Sequence, residues 1–208
     1  MALANLGELR TAALGPRTDM VGSFGDFLAL AEQRIYYGGG GAAPLRVLPM
    51  EASSTLTFTN GVATLPTGYL DKRSLYWDGA QLVPLSYEPP SVFYPMLSLR
   101  AGATVPSAYT VEGNSIKVSP ALSGTATMLS YSKLNSMTTD NTFNAILTNW
   151  PGVYLFGTQI ELFRTLRNDD EMAKALKMYA DAVTAANAQT LVARVYGGPM
   201  KRRVGFGV

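Results

Sequence analysis

The sequence contains no cysteine and no histidine, and charge is sparse: 15% of its 208 residues are Asp, Glu, Lys or Arg, against about 25% in an average soluble domain. Each shortage closes off some chemistry. Without cysteine there is no disulfide, no thiolate nucleophile and no cysteine-ligated metal. Without histidine the chain lacks the commonest general base and the commonest metal ligand. A Ser–Lys pair stays open by residue type, but no motif selects one. The formal net charge of +2 gives no bulk electrostatic attraction for nucleic acid. No apolar run approaches the length of a transmembrane helix. The N-terminus lacks the basic segment and continuous apolar core of a signal peptide. The expectation is a soluble intracellular or assembled protein, without cofactor, metal or membrane. A 47% hydrophobic composition supplies a core for one compact domain or two small ones. Sparse charge suits a surface that meets other subunits, and equally a small apolar enzyme.

What is present is organised around Thr139–Tyr196. This stretch predicts two helices folded back on each other, one over about Pro151–Arg167 and one over about Asp170–Tyr196, behind a lead-in at Phe143–Asn149. Val153, Leu155, Phe156, Ile160, Phe163 and Leu166 approximate a helical stripe. Met172, Leu176, Tyr179, Val183, Ala186, Thr190 and Ala193 do so in the second helix. Pro151 suits a first helical turn. Asn168-Asp169-Asp170 offers side-chain oxygens as caps, and Gly197-Gly198-Pro199 stops the second helix. Trp150 is expected as a core anchor.

At the other end, Leu3–Met20 predicts a short helix and a turn. Ser23 with Asp26 resembles a capping box ahead of a helix carrying Phe27, Leu28, Ala31 and Ile35. Gly38-Gly39-Gly40-Gly41 then ends that helix and is expected to be a mobile loop. A phosphate-cradling loop fails on detail, because no Lys-Ser or Lys-Thr follows and a helix precedes it where a strand should be.

Between the helical ends, from Leu45 to about Lys133, the pattern alternates. Thr55–Phe58, Asn60-Gly61 and Val62–Leu65 predict a hairpin. Leu75–Trp77 with Gln81–Leu85, and Tyr109–Val111 with Ser115–Val118, predict two more. Gly124–Tyr131 is a last strand. About seven strands joined by tight turns imply an antiparallel sandwich or open barrel, with a long Pro-rich connection from Glu88 to about Pro106. The fold expected is α+β: an N-terminal helical part over 1–44, an inserted antiparallel β-module over 45–134, the C-terminal helices of the helical domain over 135–196, and an extended tail over 197–208.

The search for chemistry returns little. Asp169-Asp170-Glu171 reads as helix capping with favourable dipole placement. Trp77, Tyr76, Tyr87 and Tyr94 could stack on bases or sugars, although aromatics in strands more often form core or cross-strand pairs. A carbohydrate- or nucleic-acid-binding β-module and a small His-independent enzyme therefore stand as alternatives. The tail carries Lys201-Arg202-Arg203 followed by Val204, Phe206 and Val208, the makings of a docking strand, set against a solvated terminus.

The order of several phrases is informative. Leu56-Thr57-Phe58-Thr59-Asn60-Gly61, Leu75-Tyr76-Trp77-Asp78-Gly79, Tyr109-Thr110-Val111-Glu112-Gly113-Asn114 and Leu147-Thr148-Asn149-Trp150-Pro151-Gly152-Val153-Tyr154-Leu155-Phe156-Gly157 together resemble the head-to-tail adaptor, or connector, proteins of tailed bacteriophages. The likeness spans about Phe24–Tyr196 and leaves out the first residues and the tetraglycine. It implies a structural virion protein of the phage neck, made in the host cytoplasm, and no enzyme. Its partners would be the portal protein and a tail or nozzle protein. Its own state would be a homo-oligomeric ring, a dodecamer, with genomic DNA passing through the channel without sequence-specific binding. The resemblance assigns Lys201, Arg202, Arg203, Val204, Phe206 and Val208 to the portal contact. It assigns Tyr154, Phe156, Phe163 and Tyr179 to the ring-building helices.

Overall fold

A computed structural model describes residues 3–196. The chain divides into two compact units. One is helical and takes its residues from 1–49 and 134–208; the other is a β-unit, Met50–Lys133. The tail residues assigned to the portal lie outside the described residues.

The helical unit comprises α1 (Leu6–Leu14), α2 (Phe24–Tyr37), α5 (Ala145–Asn149), α6 (Pro151–Thr165) and α7 (Asp169–Tyr196). Helix α6 is the hub, packing against α1, α2, α5 and α7. Gly157 permits this: a Cβ there would stand 3.2 Å from Ala31 of α2 and 3.6 Å from the Tyr179 ring of α7. At 28 residues and about 1.5 Å per residue, α7 is roughly 40 Å long. Its buried stripe is Ala175, Tyr179, Val183, Ala186 and Thr190; of the expected stripe, Met172 and Leu176 are only half-buried, Ala193 is exposed, and Ala175 is buried in their place. Asn168 accepts from the Glu171 amide and starts the helix.

Three local expectations are corrected. Ser23 does not cap α2. It ends a 3-10 turn over Thr18–Ser23 with φ −90° and ψ −5° and makes no side-chain cap bond, because a helical backbone cannot turn its hydroxyl back onto the following amides. Besides Asn168, the caps that form are Asn5, accepting from the Glu8 amide, and Asn144, accepting from the Ile146 and Leu147 amides. The tetraglycine is a hydrogen-bonded turn: Gly39 and Ala42 exchange both backbone bonds, and all four glycines hold positive φ between 65° and 137°. Trp150 is half-buried and donates from Nε1 to Gln189 at 2.8 Å, so it ties α6 to α7 at the surface instead of anchoring the core.

The β-unit is a two-sheet sandwich with no closed barrel. It holds β1 (Glu51–Phe58), β2 (Val62–Thr64), β3 (Tyr69–Trp77), β4 (Val83–Pro84), β5 (Ser86–Tyr87), the short helices α3 (Pro90–Phe93) and α4 (Leu97–Arg100), then β6 (Ala108–Glu112), β7 (Ser115–Ser119) and β8 (Gly124–Ser132). The sheets run β1-β8-β3-β4 and β2-β7-β6-β5. All pairings are antiparallel except β5 with β6. The second and third predicted hairpins form. The first does not become a two-stranded ladder. Asn60 and Gly61 adopt the positive φ of a tight turn, but only Thr59 and Val62 bridge across it. The strands then part, β1 to β8 and β2 to β7. A sandwich needs the chain to change sheets, and this turn does it. Leu56, Phe58, Leu75, Trp77, Ile116, Val118, Ala126 and Met128 are among the residues that fill the interior.

Candidate interaction surfaces

Two polar constellations fix the helices. Asn144 donates from Nδ2 to the Tyr154 hydroxyl at 2.8 Å while its Oδ1 caps α5. The Tyr154 hydroxyl in turn donates to Glu32 at 3.3 Å. Burial, with Tyr36 and Glu32 adding to it, pushes the Tyr154 phenol far above its ordinary range. In the second constellation, Glu161, with its side chain 3% exposed, meets Arg34 at 2.5 Å and Arg164 at 3.0 Å. The tetraglycine turn covers this pair: Gly40 lies against Leu176 and the Arg34 stem, and a Cβ there would fall 2.7 Å from Leu176 Cδ2. A cleft of about 270 Å³ opens beside the pair, lined by Leu30, Gln33, Tyr37 and Gly38 as well. Tyr179 is fully buried near Arg34, and burial raises its phenol to about 12.

The four residues expected on the ring-building helices therefore divide. Tyr154 and Tyr179 are interior to the chain, and Phe156 and Phe163 are half-buried on α6. The outer side of helix α7 carries exposed Lys174, Lys177 and Asp181 in its first half and turns apolar in its second. Met178, Leu191 and Val192 are exposed large residues there, alongside exposed Ala185 and Ala188. From Val183 to the helix end, Arg194 is the one charged residue in the sequence.

The β-unit presents a different surface. Val92, Tyr94, Met96, Leu99 and Val105 are all exposed within the Pro-rich connection. Buried Phe93 holds that connection from beneath. Arg100 grips Glu88 through two bonds of 2.8 and 2.6 Å. Lys117 donates to Glu112 at 2.8 Å and to the Tyr94 hydroxyl, which itself donates to Glu112. Hydrogen bonding to Arg100 holds the Glu88 carboxyl below its ordinary pKa, and bonding to Lys117 and Tyr94 does the same for Glu112. The aromatic platform weighed for a sugar or base does not assemble. Trp77 is buried against Phe58, and the Lys72 ammonium sits 3.5 Å over the Tyr87 ring, leaving Tyr76 and Tyr94 as separate exposed rings.

Sequence reasoning missed the pinned apolar connection and the Asn144 hub. The first could be found from Val92, Tyr94, Met96 and Leu99 clustered among prolines where a polar loop is the norm. The second could be found from an Asn immediately before an apolar run.

Among the described residues no group of three or more His, Cys, Asp or Glu side chains could hold a metal ion. Nor is any helix there long and apolar enough to cross a membrane. The molecule is thus an α+β protein whose distinctive exposed features are apolar faces. The chain belongs to the SU10 adaptor protein family, whose family model matches residues 4–203. No curated protein matches it. Family membership makes it a structural adaptor protein of bacteriophage and argues for architecture over catalysis.

Proposed function

We propose that this chain is a head-to-tail adaptor that assembles as a ring, a dodecamer, beneath the portal in the phage neck. It would join the head to a tail or nozzle protein and let DNA pass through the channel. The observation that carries this is the family match over nearly the whole chain. The C-terminal half of α7 supports it, because from Val183 onward its exposed side carries Leu191 and Val192 with Arg194 as the one charge in the sequence, and a helix that is apolar on a second side is suited to burial on that side as well. In this reading α6 and α7 form the body of the ring. The interior Tyr154 and Tyr179 set the register of the two helices, and the exposed Met178, Leu191 and Val192 meet the next subunit. The tail from Lys201 to Val208 would reach the portal, through its three cations and through Val204, Phe206 and Val208.

The test is electron microscopy and mass photometry of the chain, alone and with the portal encoded beside it. The expected outcome is a monomer in isolation and a ring on the portal. A stable ring without the portal would overturn the template-dependent assembly, and no association with the portal would overturn the adaptor reading. Deleting residues 201–208 should abolish portal binding and leave the melting temperature unchanged. A large loss of Tm would show instead that the tail packs into the core.

A further inference from the structure

A ring of more than two subunits cannot close through one surface meeting itself. Each subunit must offer two different patches, one to each neighbour. The helical unit carries two exposed stripes with the same spacing. On α7, Asp181, Ala185, Ala188 and Val192 follow steps of four, three and four, and all are exposed. On α2, Asp26, Leu30, Gln33 and Tyr37 follow the same steps and are exposed as well. Such steps keep each set on one side of its helix. At about 1.5 Å per residue each stripe is roughly 16 Å long. Their middles differ in size: two alanines on α7, Leu30 and Gln33 on α2.

Their charges differ too. The Tyr37 end of the α2 stripe borders the cleft beside Arg34, Glu161 and Arg164. There two guanidiniums meet one carboxylate. Arg34 Nη1 is buried without a hydrogen bond, and the Arg164 side chain is 59% exposed. The cleft therefore holds one positive charge in excess. Asp181 has the opposite imbalance. Among the described residues its side chain makes no ion pair and no hydrogen bond. It also sits in mid-helix, away from the dipole that favours Asp26, Asp169 and Asp170 in their first turns.

We propose that the α7 stripe of one subunit packs antiparallel on the α2 stripe of the next copy, with Asp181 seated in the Arg34–Arg164 cleft; this rests on the adaptor reading above. With Asp181 beside Tyr37, Ala185 faces Gln33 and Ala188 faces Leu30. Small residues then meet large ones, and the two helices approach closely. Parallel packing fits poorly, because it sets Asp181 against Asp26, two like charges, and leaves the cleft facing Val192. Packing α7 on a second α7 fits poorly too. Alanines would meet alanines, Asp181 would face Val192, and a two-fold contact closes a pair instead of a ring.

The test uses the full chain assembled on its portal. The sequence has no cysteine, so Gln33→Cys with Ala185→Cys, both at exposed positions, introduces the only thiols in the chain. Oxidation of the portal-bound rings should link subunits into a ladder from dimer upward on a non-reducing gel. Each single-Cys variant should stay unlinked. Asp181→Asn should keep its Tm and raise the chain concentration that half-fills the portal by about tenfold or more. Arg164→Gln should raise it similarly, and the two together should lose no more than either alone, because they remove one contact. Portal-bound rings that give no ladder, or that form undiminished with Asp181→Asn, would overturn the proposal and leave the adaptor reading intact. Dimers from Ala185→Cys alone would overturn it in favour of α7 on α7. An unaltered chain that does not assemble on its portal would overturn the adaptor reading itself.

Discussion

The two units solve the same problem, fixing a small apolar core, with charge placed in opposite ways. In the helical unit, charge goes inside. Glu161 is buried between two arginines, and Asn144, Thr158 and Thr190 are buried with it. In the β-unit the buried polar side chains, Thr110, Ser119 and Ser130, carry no charge, and the ion pairs Glu88–Arg100 and Glu112–Lys117 stand at the surface, where they pin one connection. The difference follows from geometry. A helix can slide or rotate against its neighbour with little loss of apolar contact, so a buried polar pair adds information about register. A strand's register is already set by its ladder and by the alternation of its faces, so its interior needs no such device.

The sharpest way to break this comparison is to remove one carboxylate from each unit. Glu161→Ala leaves Arg34, with its side chain 13% exposed, without its anion, and should cost about 3 kcal/mol in a urea melt. Glu88→Ala removes a partner from a pair that water already reaches and should cost about 1 kcal/mol or less. Equal losses would refute the contrast. Acid titration sharpens it. Glu88 and Glu112 have folded pKa values below their ordinary 4.5, so their contribution is fully present above pH 4.5 and is lost as pH falls through the lowered values. The connection around Tyr94 and Leu99 should therefore loosen only on acidification below pH 4.5, seen as faster amide exchange there. Loosening that begins near neutral pH would sink the assignment.

Two glycines extend the contrast to the backbone. Gly61, at φ 75°, turns the chain between sheets with Ala121 Cα only 2.5 Å from where a Cβ would stand. Gly61→Ala should cost about 2–3 kcal/mol, from the φ penalty and a collision with backbone that cannot step aside. Gly41 in the tetraglycine turn has φ 81° but open space around it, so Gly41→Ala should cost about 1 kcal/mol, the φ penalty alone. Thermal denaturation of the two variants checks the order, and a reversed order would mean that the tetraglycine turn, not the sheet crossing, is the stiffer device.

Much of this architecture was legible because it is local. The α7 stripe, the Asp78-Gly79 and Gly113-Asn114 hairpins and the Asn168 cap depend on residues a few positions apart, where period and turn chemistry speak directly. What was not legible depends on distant partners. Asn60-Gly61 announces a turn equally well whether its strands pair or part, and only β8, arriving some sixty residues later, decides. The buried face of α6 was misweighted for a related reason. Apolarity favours Phe156 and Phe163, yet the face that α2 and α7 cover includes Gly157, Thr158 and Glu161. A glycine marks a close approach and a glutamate can be buried once an arginine meets it, and neither partner is visible from α6 alone. The family likeness was legible from the order of phrases. The surfaces were not, because exposure is a property of the packed chain.

The smallest effects on stability should have the largest effects on assembly, and this separates the two apolar surfaces. Leu191 on α7 and Leu99 in the pinned connection are both well exposed, at 60% and 78%. Either changed to Ser should shift stability by no more than about 0.5 kcal/mol, since neither side chain is removed from water in the single chain. In the proposed ring the outer face of α7 meets the next subunit, so Leu191→Ser should prevent ring formation on the portal while leaving a folded monomer. Leu99→Ser should leave the ring intact and, if the pinned connection faces the tail, weaken capture of the tail-side protein. Counting subunits per portal by mass photometry for the two variants reads out the difference. Rings lost with Leu99→Ser and kept with Leu191→Ser would move the subunit interface from the helical unit to the β-unit. The buried charge around Glu161 would then serve the fold of the chain alone, with no part in presenting α7 to a neighbour.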